Sequence, residues 1–307
     1  MFPDDRHISD IPEALFHVHV LVVHDYGPLG KVLLERLRRT HLRISPLLVS
    51  DPAHVDLHAL DNWIPDDTAL IINALWLADP EQAERDHEAT HEAAFSLPMA
   101  LAEHARERDM ALLQLSSGYV FDGRKQGAYI ASNPGQPVNE LGRWQWECEQ
   151  ALRAQLPRHI VLRTGWSLAR FIRKVQLSTA QGGLSLPGRC HGQPVAVKDL
   201  ARVITAVALQ IDCGAEVWGT YQYAGAEEIN LYELGLAIAG MPGIPEDINV
   251  VDEVPEWGHI EPVNTTMVCT KIRNTFGIKQ MPWRTWLSEE VAMIKESNET
   301  GRTSASL

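Results

Sequence analysis

The feature that most limits what this chain can fold into is a repeated alternation of short apolar runs with helix-length stretches. The runs are Val18–Val23, ISPLLVSD (44–51), ALIINAL (69–75), MALLQLSS (110–117) and HIVLRTGW (159–166). They are too short for helices and rich in Val, Ile and Leu, so they read as strands buried on both faces. Between them, Lys31–Arg39 reads as a helix, as does the stretch from Pro80 to about Arg108, with Pro98 as its candidate break. Strands separated by helices predict an α/β fold: a Rossmann-like parallel sheet with right-handed crossovers, flanked by helices. Farther on, the pattern predicts a helix near 198–211 and a strand, turn and helix over 216–240. A loop rich in Pro and Asp follows at 241–257, then a terminal helix over 281–297.

The expected division is an N-terminal extension (1–17) and a nucleotide-binding domain over 18–170 with returning segments near 195–225. A smaller α/β substrate-type region takes 171–194 and 226–297, and 298–307 is a flexible tail. The formal net charge of -13 argues against nucleic acid or an anionic membrane as partner. The four cysteines form no C-x-x-C and read as reduced thiols. The first residues carry acid where a secretory signal carries base, and no run approaches the about 18 apolar residues of a membrane span. A cytoplasmic location is expected.

Two stretches carry candidate chemistry. His87-Glu88-Ala89-Thr90-His91 has the H-E-x-x-H spacing of zinc hydrolases, which sets two histidines on one helix face with a glutamate to activate water. A third ligand is missing. His104 lies about 20 Å along the same helix at about 1.5 Å per residue, so no metal is expected. The other stretch is His24-Asp25-Tyr26-Gly27-Pro28-Leu29-Gly30, after the first strand. A dinucleotide turn uses three glycines for the tight turn, the approach of the pyrophosphate and helix packing. Only Gly27 and Gly30 are present. His24 holds the first position, where a side chain is expected to strain the backbone, and Asp25 brings negative charge. Asp51, about 20 residues beyond, is placed to bond an adenosine ribose or to be a solvated strand end.

LLQLSSGYVFDG (112–123), INAL (72–75), RTGW (163–166), GTYQYAGAEEINLYELGLAI (219–238) and PVNTTMVCTKIRNTFGI (262–278) with Pro282-Trp283 stand in one order along the chain. With them the chain resembles the extended short-chain dehydrogenase/reductases, the dTDP-4-dehydrorhamnose reductase-like branch. It is also similar to the regulatory beta subunit of methionine adenosyltransferase, a non-catalytic relative. The resemblance implies NAD or NADP at His24, Tyr26, Gly27, Pro28, Leu29, Gly30, Asp51, Ala74, Leu75 and Ser116. It implies a sugar-nucleotide pocket at Gly118, Tyr119, Arg189 and Gln193.

The resemblance also implies a Tyr that protonates a ketone, a Lys four residues on that lowers its pKa, and a Ser or Thr that orients the carbonyl. Of these only Ser117 remains. Leu141 stands at the Tyr position and Gln145 at the Lys position. Tyr26 and Tyr119 are the other donors to weigh, and neither replaces the lost cation. Trp144 and Trp146 lie on the same predicted helix, as core contacts or as filling for a vacated cofactor site. The reading that follows is a non-catalytic, reductase-like protein that binds a nucleotide or nucleotide sugar, regulates a protein partner, or both, with a homodimer among its assemblies. An active NAD(P)-dependent reductase with atypical site residues is the alternative, and the zinc hydrolase built on His87, Glu88 and His91 is the third.

Overall fold

The apolar runs assemble into one six-stranded parallel sheet. In this computed structural model, residues 18–52, 54–178, 183–242, 244 and 249–304 are described, with side chains to residue 296; the expected N-terminal extension lies outside them. The first half contributes β1 (His19–His24), α1 (Pro28–Leu37), β2 (Arg43–Leu48), α2 (Leu60–Trp63), β3 (Thr68–Asn73), α3 (Pro80–Arg85), α4 (His87–His91), α5 (Leu97–Glu107), β4 (Ala111–Ser117), α6 (Glu140–Gln155) and β5 (His159–Thr164). There follow β6 (Trp166–Ser167), α7 (Leu168–Ser178), β7 (Leu184–Leu186), β8 (His191–Gly192), β9 (Pro194–Val195), α8 (Val197–Asp212), β10 (Gly219–Tyr223), β11 (Ile229–Asn230), α9 (Leu231–Ala239), β12 (Val250–Asp252), α10 (Thr270–Phe276) and α11 (Arg284–Ser304).

The strand order is β10-β5-β4-β3-β1-β2, with every neighbouring pair parallel. Side chains of β1 alternate between two cores. Val20 and Val22 pack with Leu33 and Leu37 of α1 and with Leu200 and Ile204 of α8. Leu21 and Val23 pack with Leu97 and Leu101 of α5 and Cys148 and Leu152 of α6. This two-sided burial is why the runs carry no polar alternation. Only β2, at the edge, is half exposed, and there Pro46 costs no ladder bond on the open side.

Three features differ from the sequence reading. The long helix over 80–108 breaks at Asp86, not at Pro98. Asp86 leaves helical geometry (φ -138°, ψ 83°) and its carboxylate accepts the Ala89 N–H, so a new helix is capped there. Pro98 is accommodated because residues Glu92–Ser96 just before it form a π-turn, which re-pairs the backbone around the missing N–H. The loop expected over 241–257 contains β12, which pairs with β7. Helix α11 continues to Ser304, into the stretch expected as a flexible tail, while residues 305–307 lie outside the described residues.

Candidate functional site

A cavity of about 950 Å³ opens where the chain's order reverses, at the C-terminal ends of β1 and β3. Open α/β sheets place ligands at this switch point, because adjacent connections leave to opposite faces and part there. The turn after β1 forms one end of the cavity. Gly27 caps α1 in an extended conformation (φ -65°, ψ 159°), and Pro28 starts the helix with its φ already helical.

His24 carries none of the backbone strain expected at the first glycine position. Asp109 is the one non-glycine residue of positive φ among the described residues. The departure from a dinucleotide turn lies instead in the side chains. His24 Nδ1 is 2.8 Å from the Asp25 carbonyl oxygen. A Cβ added to Gly30 would meet the His24 Cβ at 2.7 Å, so only glycine lets α1 close onto this strand end. The Gly27 N–H donates to Asp25 Oδ1 at 2.7 Å. Gly27, Pro28 and Leu29 line the cavity with Asp25. Tyr26 is 78% exposed and does not line it. Asp51 lines the same end with His54, whose ring nitrogen lies 2.8 Å from its carboxylate and whose pKa that carboxylate raises.

Helix α6 meets the cavity at its first turn. Asn139 caps α6 by accepting the Gly142 N–H at 2.8 Å. A Cβ on Gly142 would sit 2.0 Å from the Tyr119 carbonyl oxygen, so this glycine brings the helix against the end of β4. Leu141 is thereby held at the cavity wall, buried and apolar. Gln145 is turned to Ser117: the Ser117 hydroxyl donates to Gln145 Oε1 at 2.6 Å and accepts the Tyr119 N–H at 3.1 Å. The Gln145 amide donates to the Leu77 carbonyl at 3.3 Å. Neither Ser117 nor Gln145 lines the main cavity. Gln145 borders a small separate space behind it, with Leu75 and Ser116. Ala74 lines the main cavity beside Trp76, whose indole N–H donates to Thr164 Oγ1 at 3.0 Å and ties the ends of β3 and β5 together.

The far end is charged. Arg170, Arg173 and Lys174 of α7 line it with Asp79 and Glu81. Arg170 donates to Tyr119 Oη at 2.8 Å, Glu261 Oε1 at 2.7 Å and Glu81 Oε1 at 3.2 Å. Burial works against the Arg170 charge, but Tyr119, Glu261 and Asp79 around it outweigh that and raise its pKa. Burial drives the Tyr119 hydroxyl well above its ordinary pKa, so Tyr119 is locked and neutral rather than poised as an acid. Lys174 pairs with Glu81 and lies 3.7 Å from the centre of the Trp257 ring. These groups were missed in the sequence. The one signal for them was the i, i+3, i+4 spacing of Arg170, Arg173 and Lys174, which puts three cations on one helical face.

The remaining predicted site residues lie elsewhere. Gln193 Oε1 accepts the Met267 N–H at 2.8 Å, a bond between two loops. Gly118 lies against Thr265, and Arg189 is exposed away from the cavity. Trp144 packs on His91 (4.3 Å between centroids) and Phe95, and Trp146 lies over Arg153 and Arg163. Neither tryptophan lines the cavity, so neither fills a cofactor's place. His87 is 3.3 Å from Glu140 and His91 is 3.5 Å from Glu92. His104 stands by Asp61 at 3.2 Å. Among the described residues no three His, Cys, Asp or Glu side chains are grouped to hold a metal.

A parallel sheet wound on both faces, with a glycine turn opening onto the reversal cleft, defines a Rossmann-type nucleotide-binding α/β protein. Within that class the chain belongs to the RmlD substrate binding domain family, whose model matches residues 18–296. It is 28% identical over 228 residues to a dTDP-4-dehydrorhamnose reductase of Aggregatibacter actinomycetemcomitans, covering 70% of this chain and 78% of that one. It is 26% identical over 261 residues to mouse methionine adenosyltransferase 2 subunit beta, covering 80% and 74%. Among solved structures, a dTDP-4-dehydrorhamnose reductase of Clostridium acetobutylicum superposes with a TM-score of 0.75 at 20% identity, covering 91% of this chain and all of that one. The Bacillus anthracis enzyme in complex with NADP gives 0.71 at 19% identity, covering 89% and 97%. These two likenesses establish the fold. Among the described residues no helix is long and apolar enough to cross a membrane.

Proposed function

We propose that this protein is a non-catalytic member of its family that binds a nucleotide or nucleotide sugar in the reversal cleft, regulates a partner protein, or does both. The observation that carries the reading is the closed Ser117–Gln145 hydrogen bond beside Leu141. Ketone reduction needs a proton donor at the carbonyl and a cation that makes the donor acidic enough. Leu141 has no proton to give, Gln145 has no charge, and Ser117 spends its hydroxyl proton on Gln145. Among the described residues no tyrosine lines the cavity to stand in for the donor. A fold outlasts its chemistry when packing and catalysis use different residues. Similarity to a protein named as a subunit of another enzyme supports the regulatory side of the reading.

The test is an assay of the purified protein with dTDP-4-dehydrorhamnose and NADH or NADPH, following nicotinamide absorbance. The expected result is oxidation no faster than in the protein-free control. Turnover dependent on the protein would establish the active-reductase alternative. Titration with nucleoside diphosphate sugars tests the binding half, and saturable binding is expected.

A further inference from the structure

We propose that Asp25 determines ligand specificity in the cleft: its carboxylate occupies the place of a cofactor's pyrophosphate and excludes dinucleotides. The proposal deepens the reading of the cleft as a nucleotide site and rests on it. It narrows that site to nucleosides and nucleotides that bring no phosphate to the turn.

At a dinucleotide turn the second glycine has no side chain so that the pyrophosphate can approach the backbone, and the helix N-terminus draws the anion in. Gly27 holds that position here, and the room it leaves is taken. A Cβ built on Gly27 would lie 2.6 Å from Asp25 Oδ1 and 3.2 Å from both its Cγ and Oδ2, so the whole carboxylate lies over the glycine. The same oxygen accepts the Gly27 N–H at 2.7 Å. The N–H of Gly27, a donor that an incoming pyrophosphate would meet at the head of α1, is therefore already taken.

Asp25 is held from the other side too. His24 Nδ1 meets the Asp25 carbonyl at 2.8 Å, and the His24 side chain is seated against Gly30. The His24 carbonyl in turn accepts the Val49 N–H at 2.7 Å from the end of β2. A pyrophosphate arriving here would displace an ordered carboxylate or lie against it, and like charges at contact are strongly disfavoured. Asp51 adds a second carboxylate at this end of the cavity. Arg173 lines the same cavity from α7, beside the Lys174–Glu81 pair, so a ligand with its ribose toward the turn brings its phosphates toward the Arg173 side.

The experiment titrates the full chain, and its Asp25→Ala and Asp25→Asn variants, with NADH, NADPH and adenosine by calorimetry. Melting curves confirm that the variants are folded. Wild type is expected to bind neither dinucleotide to saturation at millimolar concentration. Asp25→Ala is expected to gain about tenfold to a hundredfold in dinucleotide affinity. Asp25→Asn keeps the acceptor but sheds the charge, and gains less. A gain for adenosine, which carries no phosphate, as large as the gain for NADH in Asp25→Ala overturns the proposal. Micromolar binding of NADH or NADPH by wild type overturns the proposal, as does a folded Asp25→Ala variant with no gain. If neither nucleotides nor nucleotide sugars bind wild type, the binding half of the functional reading fails, while a dinucleotide gain in Asp25→Ala still establishes the role of Asp25.

Discussion

Two stretches of helix α6 lie one turn apart and behave as opposites. Leu141, Gln145 and Glu149 follow at intervals of four, so they share one buried face toward the sheet. At the first two positions the groups that ketone reduction needs are absent, and what remains is a neutral Ser117–Gln145 pair. At the third, a carboxyl group is kept and is fully partnered. Glu149 takes Arg163 in a bidentate pair (2.9 and 2.6 Å), the Ser116 hydroxyl at 2.7 Å and Arg153 at 2.6 Å. Arg163 is wholly buried and stacks near Phe121 and Trp146. The difference teaches that this helix is held by its packing and its buried ion pair, independently of the chemistry one turn earlier. Residues 141 and 145 are free to vary because little else leans on them. An ion pair saturated on all sides cannot lose one member without stranding the other.

That contrast is broken most directly at Glu149. Glu149→Ala strands Arg163 in the interior and is expected to cost about 3–5 kcal/mol of stability, read from urea unfolding. A loss as small as that of the Gln145 variant described below would erase the distinction between the two turns.

A second buried carboxylate sharpens the point. Glu290 of α11 accepts the Val197 N–H at the start of α8 (3.0 and 3.2 Å), while the neighbouring Lys198 pairs with Glu289. Burial, without the two arginines that serve Glu149, pushes the Glu290 carboxyl up to about 7. Its pKa is higher folded than unfolded, so its contribution to stability is full below the ordinary carboxylate range. That contribution is lost as pH rises through about 7. Wild type should therefore gain up to about 3 kcal/mol from this group between pH 8 and pH 4. Glu290→Gln should flatten that part of the profile. An unchanged profile in the variant would show that burial does not raise the Glu290 pKa.

At the reductase positions the effects are smaller. Gln145→Ala removes the acceptor of Ser117 and is expected to cost about 1–2 kcal/mol, with nucleotide-sugar binding retained because neither residue lines the main cavity. Loss of ligand binding in that variant would return this turn to the functional site. Smallest is the H-E-x-x-H stretch. His87→Ala, at a side chain 60% exposed, should change stability by no more than about 0.5 kcal/mol, and added zinc should leave the melting temperature of wild type where it was. A stabilisation by zinc that His87→Ala abolishes would make the site metallic.

Legibility in the sequence follows the range of the interactions. The five apolar runs are read directly as strands because burial on both faces leaves its mark residue by residue, and β1 to β5 lie where those runs are. β12 escaped because three residues at the edge of a small pairing carry no pattern above that of a Pro- and Asp-rich loop. Asp86 carries the signal of a helix start, a capping residue before a helical stretch, but Pro98 carries the stronger local signal for a break. At the site, Gly27, Asp51, Ala74 and Leu141 were singled out through the family resemblance, and all four line the cavity. The charged wall of Arg170, Arg173 and Lys174 was not, because its partners Tyr119, Glu81 and Glu261 come from three distant segments.

What the sequence determined by itself is the parallel sheet, the glycine turn after its first strand, and the presence of Leu at 141 and Gln at 145. Those are matters of local pattern and of which side chain stands where. What only the tertiary structure decided is what the altered residues do: Gln145 closes onto Ser117, Tyr119 is bound into a buried charge network, and Asp25 lies over Gly27. A side chain's role depends on the direction it takes and the groups that meet it, and those are set by backbones brought together from far apart in the chain.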